Sequence, residues 1–385
     1  MEIDIGIGKS GRRAYGFDDI AIVPSRRTRD PEDVDISWQL DAFRFELPMM
    51  GAAMDGAMSP ATAIEIGRLG GLGVLNLEGL WTRYEDPEPY LEEIAALSKE
   101  AATARMQEIY MKPIEPDLIS QRVADLKKAG IITSASLTPQ RVVELGPKAL
   151  KAGLDILVIQ GTVVSAEHVS SRGDVLNLKD YIADCEVPVI VGGCSSYSTA
   201  LHLMRTGAAG VLVGVGPGAA CTTRAVLGVG VPQATAIADA AGARIRYLDE
   251  TGRYVHVIAD GGMQKGGDVA KAIACGADAV MIGSPLASAT EAPGRGFHWG
   301  MATFHPELPR GARVETGNLG TLEEILKGPA NENDGRRNLF GALRVSMATC
   351  GYSNIKEFQK AEVMVAPSLQ TEGKALQRSQ RVGMG

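Results

Sequence analysis

The sequence predicts a (β/α)8 barrel, because eight short apolar runs recur along its 385 residues and a helix-like stretch follows each run. Near-continuous runs of Val, Ile and Leu suit strands that are buried on both faces, as in a parallel sheet. Eight alternating strand–helix units imply a closed barrel, whose active site lies on the loops after the strands. A doubly wound open sheet is the alternative, but its G-x-G-x-x-G fingerprint should follow the first strand and is absent there.

The eight predicted strands each run into glycine or small polar residues. In chain order they lie in ELPMMGAAMDG, LGGLGVLNLEG, IITSASLTP, LDILVIQGT, VPVIVGGCSS, AGVLVGVGPG, YVHVIADGG and ADAVMIGSP. Helical segments between them begin near Ser, Thr or Asp and end on Gly, as capped helices do. Examples are SPATAIEIGRLGG, TPQRVVELGPKALKAG, YSTALHLMRTGAAG and GGDVAKAIACGAD.

Two regions interrupt this regular alternation. Residues 79–130 are charged and helical, and they predict extra helices between strands 2 and 3. The segment is too short for another compact domain of the usual ~100–150 residues. Residues 288–345, after strand 8, are rich in Gly and Pro and predict a long loop region that holds a lid. Residues 1–385 are therefore predicted to form one catalytic barrel domain.

Composition narrows the classes of protein and partner. With 45% hydrophobic and 22% charged residues the chain is typical of a globular protein, and its net charge of −7 without a long basic run argues against nucleic-acid binding. No stretch reaches the roughly 18 apolar residues of a membrane helix, and the start lacks an apolar export segment, so we expect a cytoplasmic protein. The five cysteines include no C-x-x-C pair, which favours reduced thiols over disulfides or zinc ligands.

The glycine-rich run GVGPGAACTTR, from Gly214 to Arg224, follows predicted strand 6. Its position puts Cys221 on the catalytic face of the barrel rather than in the core. A thiolate there can add to an electrophilic carbon, with the hydroxyl of Thr223 and the cation of Arg224 beside it. The alternative is a glycine-rich turn that carries an inert small residue.

Strands 7 and 8 end in IADGG and IGS, which bring small residues to one rim of the barrel: Asp260, Gly261, Gly262, Gly283 and Ser284. Many barrels hold phosphate at this rim with backbone N–H groups and a helix start. Asp260 is placed to accept hydrogen bonds from ribose hydroxyls. A phosphate site next to a ribose acceptor predicts a bound nucleotide or flavin mononucleotide.

Six motifs in one order resemble the IMP dehydrogenase/GMP reductase family along nearly the whole chain. They are YGFDDIAIVPS, AAMD at Ala52 to Asp55, GGLGVL at Gly70 to Leu75, GVGPGAACTT, IADGG with IGS, and GALRVSMATCG at Gly341 to Gly351. The chain is most similar to a short, IMP dehydrogenase-related branch of that family. The family's regulatory CBS pair, usually inserted after strand 2, is missing because residues 79–130 cannot hold it.

The resemblance implies that Cys221 attacks C2 of a purine 5′-monophosphate and that a hydride passes between this carbon and a nicotinamide. By similarity, Thr223 helps to activate water or the leaving ammonia. The nucleotide contacts that the resemblance implies are Met54, Asp260, Gly262, Gly283, Ser284, Gly300 and Met301. It also implies NAD or NADP as cofactor, a homotetramer or homo-octamer, and a monovalent cation such as K+ on the backbone carbonyls of Gly214, Gly216 and Cys221.

Several positions depart from the family pattern. Ala219 stands where a serine usually supports the phosphate, so backbone amides must take over that role. The acidic residue toward the nicotinamide ribose falls at Leu157, and the asparagine after strand 5 falls at Cys194. The residues that bind the dinucleotide are therefore left unassigned.

The lid departs furthest. WGMAT, starting at Trp299, resembles the family's Gly-Met-Gly-Ser nucleotide turn, and LPRGARV resembles the segment after the mobile flap. Only FHPE lies between them, so the flap that carries the dehydrogenase's Arg-Tyr pair has almost no room. Arg310 is our candidate general base and His305 a second one, and each could equally be a solvated loop residue.

These motifs support one main hypothesis and several alternatives. The main hypothesis is an IMP dehydrogenase of GMP biosynthesis, which converts IMP, NAD and water to XMP and NADH through a covalent Cys221 intermediate. The missing regulatory module and the short flap favour a GMP reductase that uses NADPH and releases ammonia. A non-catalytic purine-nucleotide-binding regulatory paralogue is a third reading, motivated by Ala219 and Leu157, and an FMN-dependent barrel is a fourth.

Overall fold

Eight parallel strands close into a barrel, which confirms the predicted fold class. The computed structural model describes residues 2–169, 176–301, 312–366 and 373–380. We number the barrel strands 1 to 8, and each lies inside its predicted segment: Met49–Gly51, Leu72–Asn76, Ser134–Leu137, Ile156–Gln160, Val189–Cys194, Gly210–Val213, His256–Asp260 and Ala279–Ile282.

Every barrel strand pairs in parallel with the next one along the chain, and strand 8 closes the ring on strand 1 with Val280 opposite Met49. The strands are mainly apolar because both of their faces are buried, and polar residues such as Asn76, Gln160 and Asp260 occur at strand ends. In strand 4, for example, Val158 packs inside the barrel, whereas Leu157 and Ile159 pack with the surrounding helices. This alternation decides which side chains can reach a ligand.

Helices cover the barrel and connect its strands. In the part of the chain that the structure describes they are α1 Pro60–Arg68, α2 Glu88–Ala96, α3 Lys99–Tyr110, α4 Pro116–Lys128, α5 Val142–Lys151, α6 Leu178–Ala183, α7 Tyr197–Met204, α8 Thr223–Leu227, α9 Gln233–Thr251, α10 Gly266–Ala274, α11 Ser284–Ala287, α12 Leu322–Leu326, α13 Leu339–Thr349, α14 Ile355–Phe358 and α15 Lys374–Ser379. Capping follows the sequence signals: Ser59 accepts a hydrogen bond from the N–H of Thr62 at 3.0 Å, and Pro60 occupies the first helical position. None of these helices is long and apolar enough to cross a membrane.

A short hairpin closes the amino-terminal end of the barrel. Its strands are Trp38–Leu40 and Phe43–Phe45, and both pack on the barrel interior. Trp38 Nε1 donates a hydrogen bond to Nδ1 of His256, at the start of barrel strand 7, at 3.1 Å. The opposite, carboxyl-terminal end is therefore the one open to ligands.

The helices predicted between strands 2 and 3 are present, whereas the region after strand 8, predicted as a long loop, contains a strand pair, α12 and the start of α13. Residues 79–130 contain α2, α3 and α4. Two short antiparallel strand pairs lie outside the barrel: Glu2–Gly6 pairs with Lys9–Arg12, and Ile20–Ile22 pairs with Val363–Val365. Beyond strand 8, Phe297–Trp299 pairs antiparallel with Arg313–Glu315. We call this pair the flap hairpin. Residues 302–311, which include His305 and Arg310, lie outside the described residues.

Candidate active site

Cys221 lies after barrel strand 6 and is exposed at the carboxyl-terminal end of the barrel. Its Sγ donates a hydrogen bond to Oγ1 of Thr223 at 3.2 Å, and Thr223, the first residue of α8, is buried. The Cys221 N–H donates to the carbonyl of Gly218 at 3.0 Å, which closes a tight turn before the thiol. A nucleophile and a fixed hydroxyl are thus presented together.

Close packing against strand 7 fixes the beginning of this loop. A Cβ on Gly214 would lie 2.1 Å from the carbonyl oxygen of Asp260, so only glycine fits. Gly216 adopts φ +84°, the left-handed region that glycine favours. Gln233 Nε2 donates to the carbonyls of Val213 and Asp260 at 2.7 and 3.1 Å, which ties the ends of strands 6 and 7 together. The loop that carries the thiol is therefore held beside Asp260.

Asp260 ends strand 7, and its Oδ2 accepts a hydrogen bond from Nε2 of Gln160 at 3.1 Å. Gln160 ends strand 4, on the other side of the barrel mouth. Burial raises the pKa of Asp260 to about 7, and the single hydrogen bond from Gln160 lowers it only in part. At neutral pH the carboxyl group is therefore poised between its two protonation states and can donate or accept a hydrogen bond.

The glycines after strand 7 make room for the loop that carries Cys221. Gly261 and Gly262 adopt φ +79° and +82°, and a Cβ on Gly262 would lie 3.1 Å from Cβ of Pro217. After strand 8, a Cβ on Gly283 would lie 2.9 Å from Sδ of Met54. The structure thus brings Met54, from the turn after strand 1, to the same rim as the glycines that we expect at the phosphate.

Ser284 contacts a histidine that sequence reasoning missed. Its Oγ lies 3.0 Å from Nε2 of His298, which belongs to the flap hairpin and is 1% exposed. Burial lowers the pKa of His298 to about 4, and its buried Nδ1 has no partner among the described residues. Because Gly300 and Met301 follow within three residues, His298 connects the rim to the predicted nucleotide turn. In the sequence, the position of His298 just before that turn was the signal that could have identified it as a candidate site residue.

A hydrogen-bonded chain anchors the same hairpin to the barrel. Trp299 Nε1 donates to the hydroxyl of Tyr110 at 2.7 Å, and that hydroxyl donates to Oδ2 of Asp55 at 2.6 Å. The N–H of Leu80 donates to the same carboxylate oxygen at 2.8 Å. Burial raises the pKa of Asp55 to about 6. The AAMD motif therefore ends in a buried carboxyl group that positions the hairpin, a role that the sequence did not indicate.

Two positions matched to dinucleotide contacts are not on the catalytic face. Leu157 is fully buried between strand 4 and the helices, and Cys194 is 1% exposed. Burial raises the pKa of Cys194 to about 12, so its thiol stays protonated. Ala219, in contrast, is exposed in the loop before Cys221. The polar group that reaches the barrel mouth from strand 4 is Gln160.

Comparison with known proteins gives consistent matches. The family described as IMP dehydrogenase / GMP reductase domain matches residues 14–305. An uncharacterized oxidoreductase of Mycolicibacterium smegmatis is 52% identical over 372 residues, which cover 94% of this chain and 99% of that protein. An inosine-5′-monophosphate dehydrogenase of Methanocaldococcus jannaschii is 27% identical and covers 94% of each chain.

A solved structure agrees with these matches. The crystal structure of an IMP dehydrogenase/GMP reductase-like protein from Corynebacterium glutamicum superposes with a TM-score of 0.90 at 48% identity. The alignment covers 94% of this chain and 97% of that one. The similarity therefore extends over nearly the whole length of both chains.

Proposed function

The chain belongs to the IMP dehydrogenase / GMP reductase family, and from this premise we propose that it is an oxidoreductase that converts IMP, NAD and water to XMP and NADH. The observation that carries the proposal is the exposed Cys221 thiol, 3.2 Å from the Thr223 hydroxyl and beside the glycine rim of strands 7 and 8. A nucleophile next to a phosphate-sized, backbone-lined rim suits covalent chemistry on a nucleotide.

In this proposal the nucleotide phosphate binds at the rim. Backbone N–H groups of Gly262 and Gly283 and the hydroxyl of Ser284 donate to its oxygens, with His298 holding that hydroxyl. Asp260 holds the ribose hydroxyls, since its carboxyl group can accept or donate near neutral pH. Met54, Gly300 and Met301 contact the base.

The thiol then acts on the base. Sγ of Cys221, as the thiolate, adds to C2 and opens the C2–N3 double bond. Once the hydride of C2 has left for the oxidant of the proposed reaction, NAD, the C2–N3 double bond is restored, and water then replaces the sulfur to give the 2-oxo product and the free thiol. The hydroxyl of Thr223 is close enough to Sγ to orient that water. Arg310 is the proposed general base that takes the water's proton.

The residues of strands 4 and 5 do not fit the expected ribose contact of a nicotinamide cofactor. Leu157 cannot supply a carboxylate, and both Leu157 and Cys194 are buried away from the barrel mouth. The cofactor must therefore be held by other groups. The chain's own residues account for the binding of the nucleotide and for the action of the thiol.

The length of the lid favours a second candidate function. Met301 and Ala312 bracket ten residues, which leaves little room for the groups that position a hydrolytic water. Without hydrolysis, the same thiol adduct supports the reductive deamination of GMP by NADPH to IMP and ammonia. A nucleotide-binding regulatory paralogue without turnover is the third candidate, because Ala219 and Leu157 depart from the catalytic pattern.

Further properties belong to the same proposal. We expect a homotetramer or homo-octamer of single-domain, cytoplasmic subunits without a CBS module. A K+ ion on the carbonyls of Gly214, Gly216 and Cys221 would hold the loop that presents the thiol. Light scattering tests the assembly, and the dependence of turnover on K+ tests the ion.

One assay separates the candidates. Purified protein is given IMP with NAD and, in parallel, GMP with NADPH, while nicotinamide absorbance is followed and the purine product is identified. NADH together with XMP supports the dehydrogenase, and loss of NADPH together with IMP and ammonia supports the reductase. No turnover in either mixture, with binding of IMP or GMP detected by calorimetry, would leave the regulatory paralogue.

A further inference from the structure

A cavity of about 440 Å³ opens beside the catalytic face, next to the segments that follow barrel strands 2 and 3. Two arginines, Arg83 and Arg141, line it together with the ring of Tyr110 and the Glu144 side chain. Pro113, Ile114 and Pro116 supply apolar wall. The volume lies within the roughly 300–1,000 Å³ of small-molecule sites. Neither arginine has a role in the nucleotide chemistry proposed above.

Two backbone carbonyls hold the Arg83 side chain in place. Its Nε donates to the carbonyl of Glu78 at 3.2 Å, and its Nη1 donates to the carbonyl of Lys112. Among the residues that the structure describes, no carboxylate forms an ion pair with this half-buried side chain. Burial lowers the pKa of Arg83, whereas the nearby Tyr110, Asp55 and Glu78 raise it and Arg141 lowers it slightly. The Arg83 guanidinium stays charged at neutral pH, and the neighbouring carboxylates act on it from beyond ion-pair distance.

Arg141 adds a second guanidinium to the same cavity. Its Nη1 donates to Oε2 of Glu144, three residues later, at 2.9 Å. Both side chains of this pair are more than half exposed, and such surface pairs contribute little free energy. A phosphate group can therefore replace Glu144 as the ion-pair partner of Arg141. Two guanidiniums against one carboxylate leave the cavity with net positive charge.

We propose that this cavity binds a phosphoryl group between Arg83 and Arg141. Guanidinium groups match phosphate oxygens in paired, charge-assisted hydrogen bonds, and the fixed fork of Arg83 is ordered before the ligand arrives. The apolar wall and the ring of Tyr110 leave space for the rest of a phosphorylated ligand.

Two sources of the phosphoryl group share this chemistry. Strands 2 and 3 end on the same face as strand 6, so the group can be the 2′-phosphate of NADP bound across the barrel mouth. It can also be free inorganic phosphate. The first source rests on the proposed function, whereas the second does not.

The site is tested by hydrogen–deuterium exchange of the full chain with and without inorganic phosphate. We expect protection of residues 110–116 and 141–145, which line the cavity, and Arg141→Gln should weaken the phosphate dependence of this protection about tenfold. Because exchange is measured at residues 110–116 and 141–145, phosphate bound in the cavity is distinguished from phosphate bound at the rim of Ser284. Absence of protection, or equal protection in Arg141→Gln, overturns the proposal.

Arg68→Gln is the matched control, since Arg68 also pairs on a helix surface with a glutamate three residues away, Glu65, at 3.6 Å. It should bind phosphate like the unaltered chain, and an equal loss in both variants would mean a general charge effect and reject the site. Arg83→Lys keeps the charge but loses the fork, so it should weaken binding as Arg141→Gln does. Thermal unfolding shows whether Arg83→Lys remains folded. If it does not, the result for Arg141→Gln, a change at an exposed side chain, decides the test.

Calorimetry with NADP and NAD then identifies the source. A tenfold loss of NADP affinity in Arg141→Gln, with NAD unchanged, assigns the site to the cofactor's phosphate. Unchanged affinity for both, with weakened inorganic phosphate, assigns it to free phosphate. If neither dinucleotide binds the unaltered chain, the cofactor part of the proposed function fails while the phosphate result stands by itself.

Discussion

Two aspartates lie at opposite ends of neighbouring barrel strands and behave in opposite ways. Asp260 closes strand 7 at the open end and receives one side-chain hydrogen bond, from Gln160. Asp278 precedes strand 8 at the closed end and is 1% exposed. Its carboxylate accepts hydrogen bonds from Arg244 Nη1 at 2.8 Å, the Tyr254 hydroxyl, Gln359 Nε2, Lys356 Nζ and the Val257 N–H. Asp278 is almost fully buried and has five hydrogen-bond partners, whereas Asp260 is half-buried and has one side-chain partner.

The partners decide the charge of each group. Burial alone would raise the pKa of Asp278, but the charges of Arg244 and Lys356 outweigh it and hold that pKa well below its usual range. Among the described residues no such cation acts on Asp260, so burial dominates and its pKa rises to about 7. The closed end satisfies its buried carboxylate, whereas the open end leaves Asp260 with one side-chain partner, as is common where a ligand binds.

The largest expected effect is on turnover at the open end. Cys221→Ser replaces the nucleophile by a much weaker one, so kcat should fall by about 10³-fold or more while nucleotide binding by calorimetry stays within a few-fold. Cys185→Ser, at the closed end before strand 5, is the control and should retain activity. Undiminished turnover in Cys221→Ser would reject the covalent mechanism.

The next effect is on stability at the closed end. Asp278→Asn leaves the buried Arg244 without its counterion, so the free energy of unfolding in urea should fall by about 3–5 kcal/mol. Asp260→Asn, the same change at the open end, removes a carboxyl group with one partner and should change stability by less than about 1 kcal/mol at pH 4, where that carboxyl group is protonated in the folded chain. Equal losses in the two variants would contradict the division between the two ends.

The pH dependence of stability should differ in sign between the two ends. The pKa of Asp260 is about 7 in the folded chain and about 3.9 in an unfolded one, so the native state binds more protons between these values. Its contribution to stability is full below about pH 4 and is lost as pH rises through about 7, by at most about 4 kcal/mol and less because the rim is partly open to solvent.

The free energy of unfolding in urea should fall between pH 4 and 8 for the unaltered chain, and this fall should be absent in Asp260→Asn. Asp55 contributes in the same direction in both proteins and cancels in the comparison. Asp278 has a lowered pKa, so its stabilisation is present above its usual pKa and disappears only in strong acid. Parallel profiles for the two proteins would argue against a raised pKa at Asp260.

The smallest expected effect concerns the contact between the rim and the flap hairpin. His298→Phe keeps a ring of similar size but loses the hydrogen bond to Ser284, so IMP should bind about tenfold more weakly. Inosine, which lacks the phosphate, should bind both proteins equally. Equal weakening of IMP and inosine would assign His298 to the base instead of the phosphate rim.

Local signals in the sequence were sufficient for most of the fold. The eight apolar runs marked all eight barrel strands, because a strand buried on both faces is mostly apolar along its length. Thr223, two residues after Cys221, could be singled out together with it because both follow strand 6. The glycines around Asp260 were visible in the same way.

The contacts of the candidate site could not be predicted in this way. Gln160 meets Asp260 across the barrel mouth, 100 residues apart in sequence, and Tyr110 meets Trp299 across 189. Leu157 matched a polar family position, but the alternation of strand 4 turns its side chain toward the helices. The spacing of motifs along the sequence does not indicate which way a side chain points or which distant residue it meets.

The sequence by itself determined the order of the strands, the loop that carries Cys221 and the family, because local hydrophobic runs and turn residues act over a few neighbours. Only the tertiary structure decided which polar groups go without partners, since that depends on what lies across the barrel. Asp260 and Arg83 are short of partners there, whereas Asp278 has five. A buried polar group takes its charge and its chemistry from those distant neighbours.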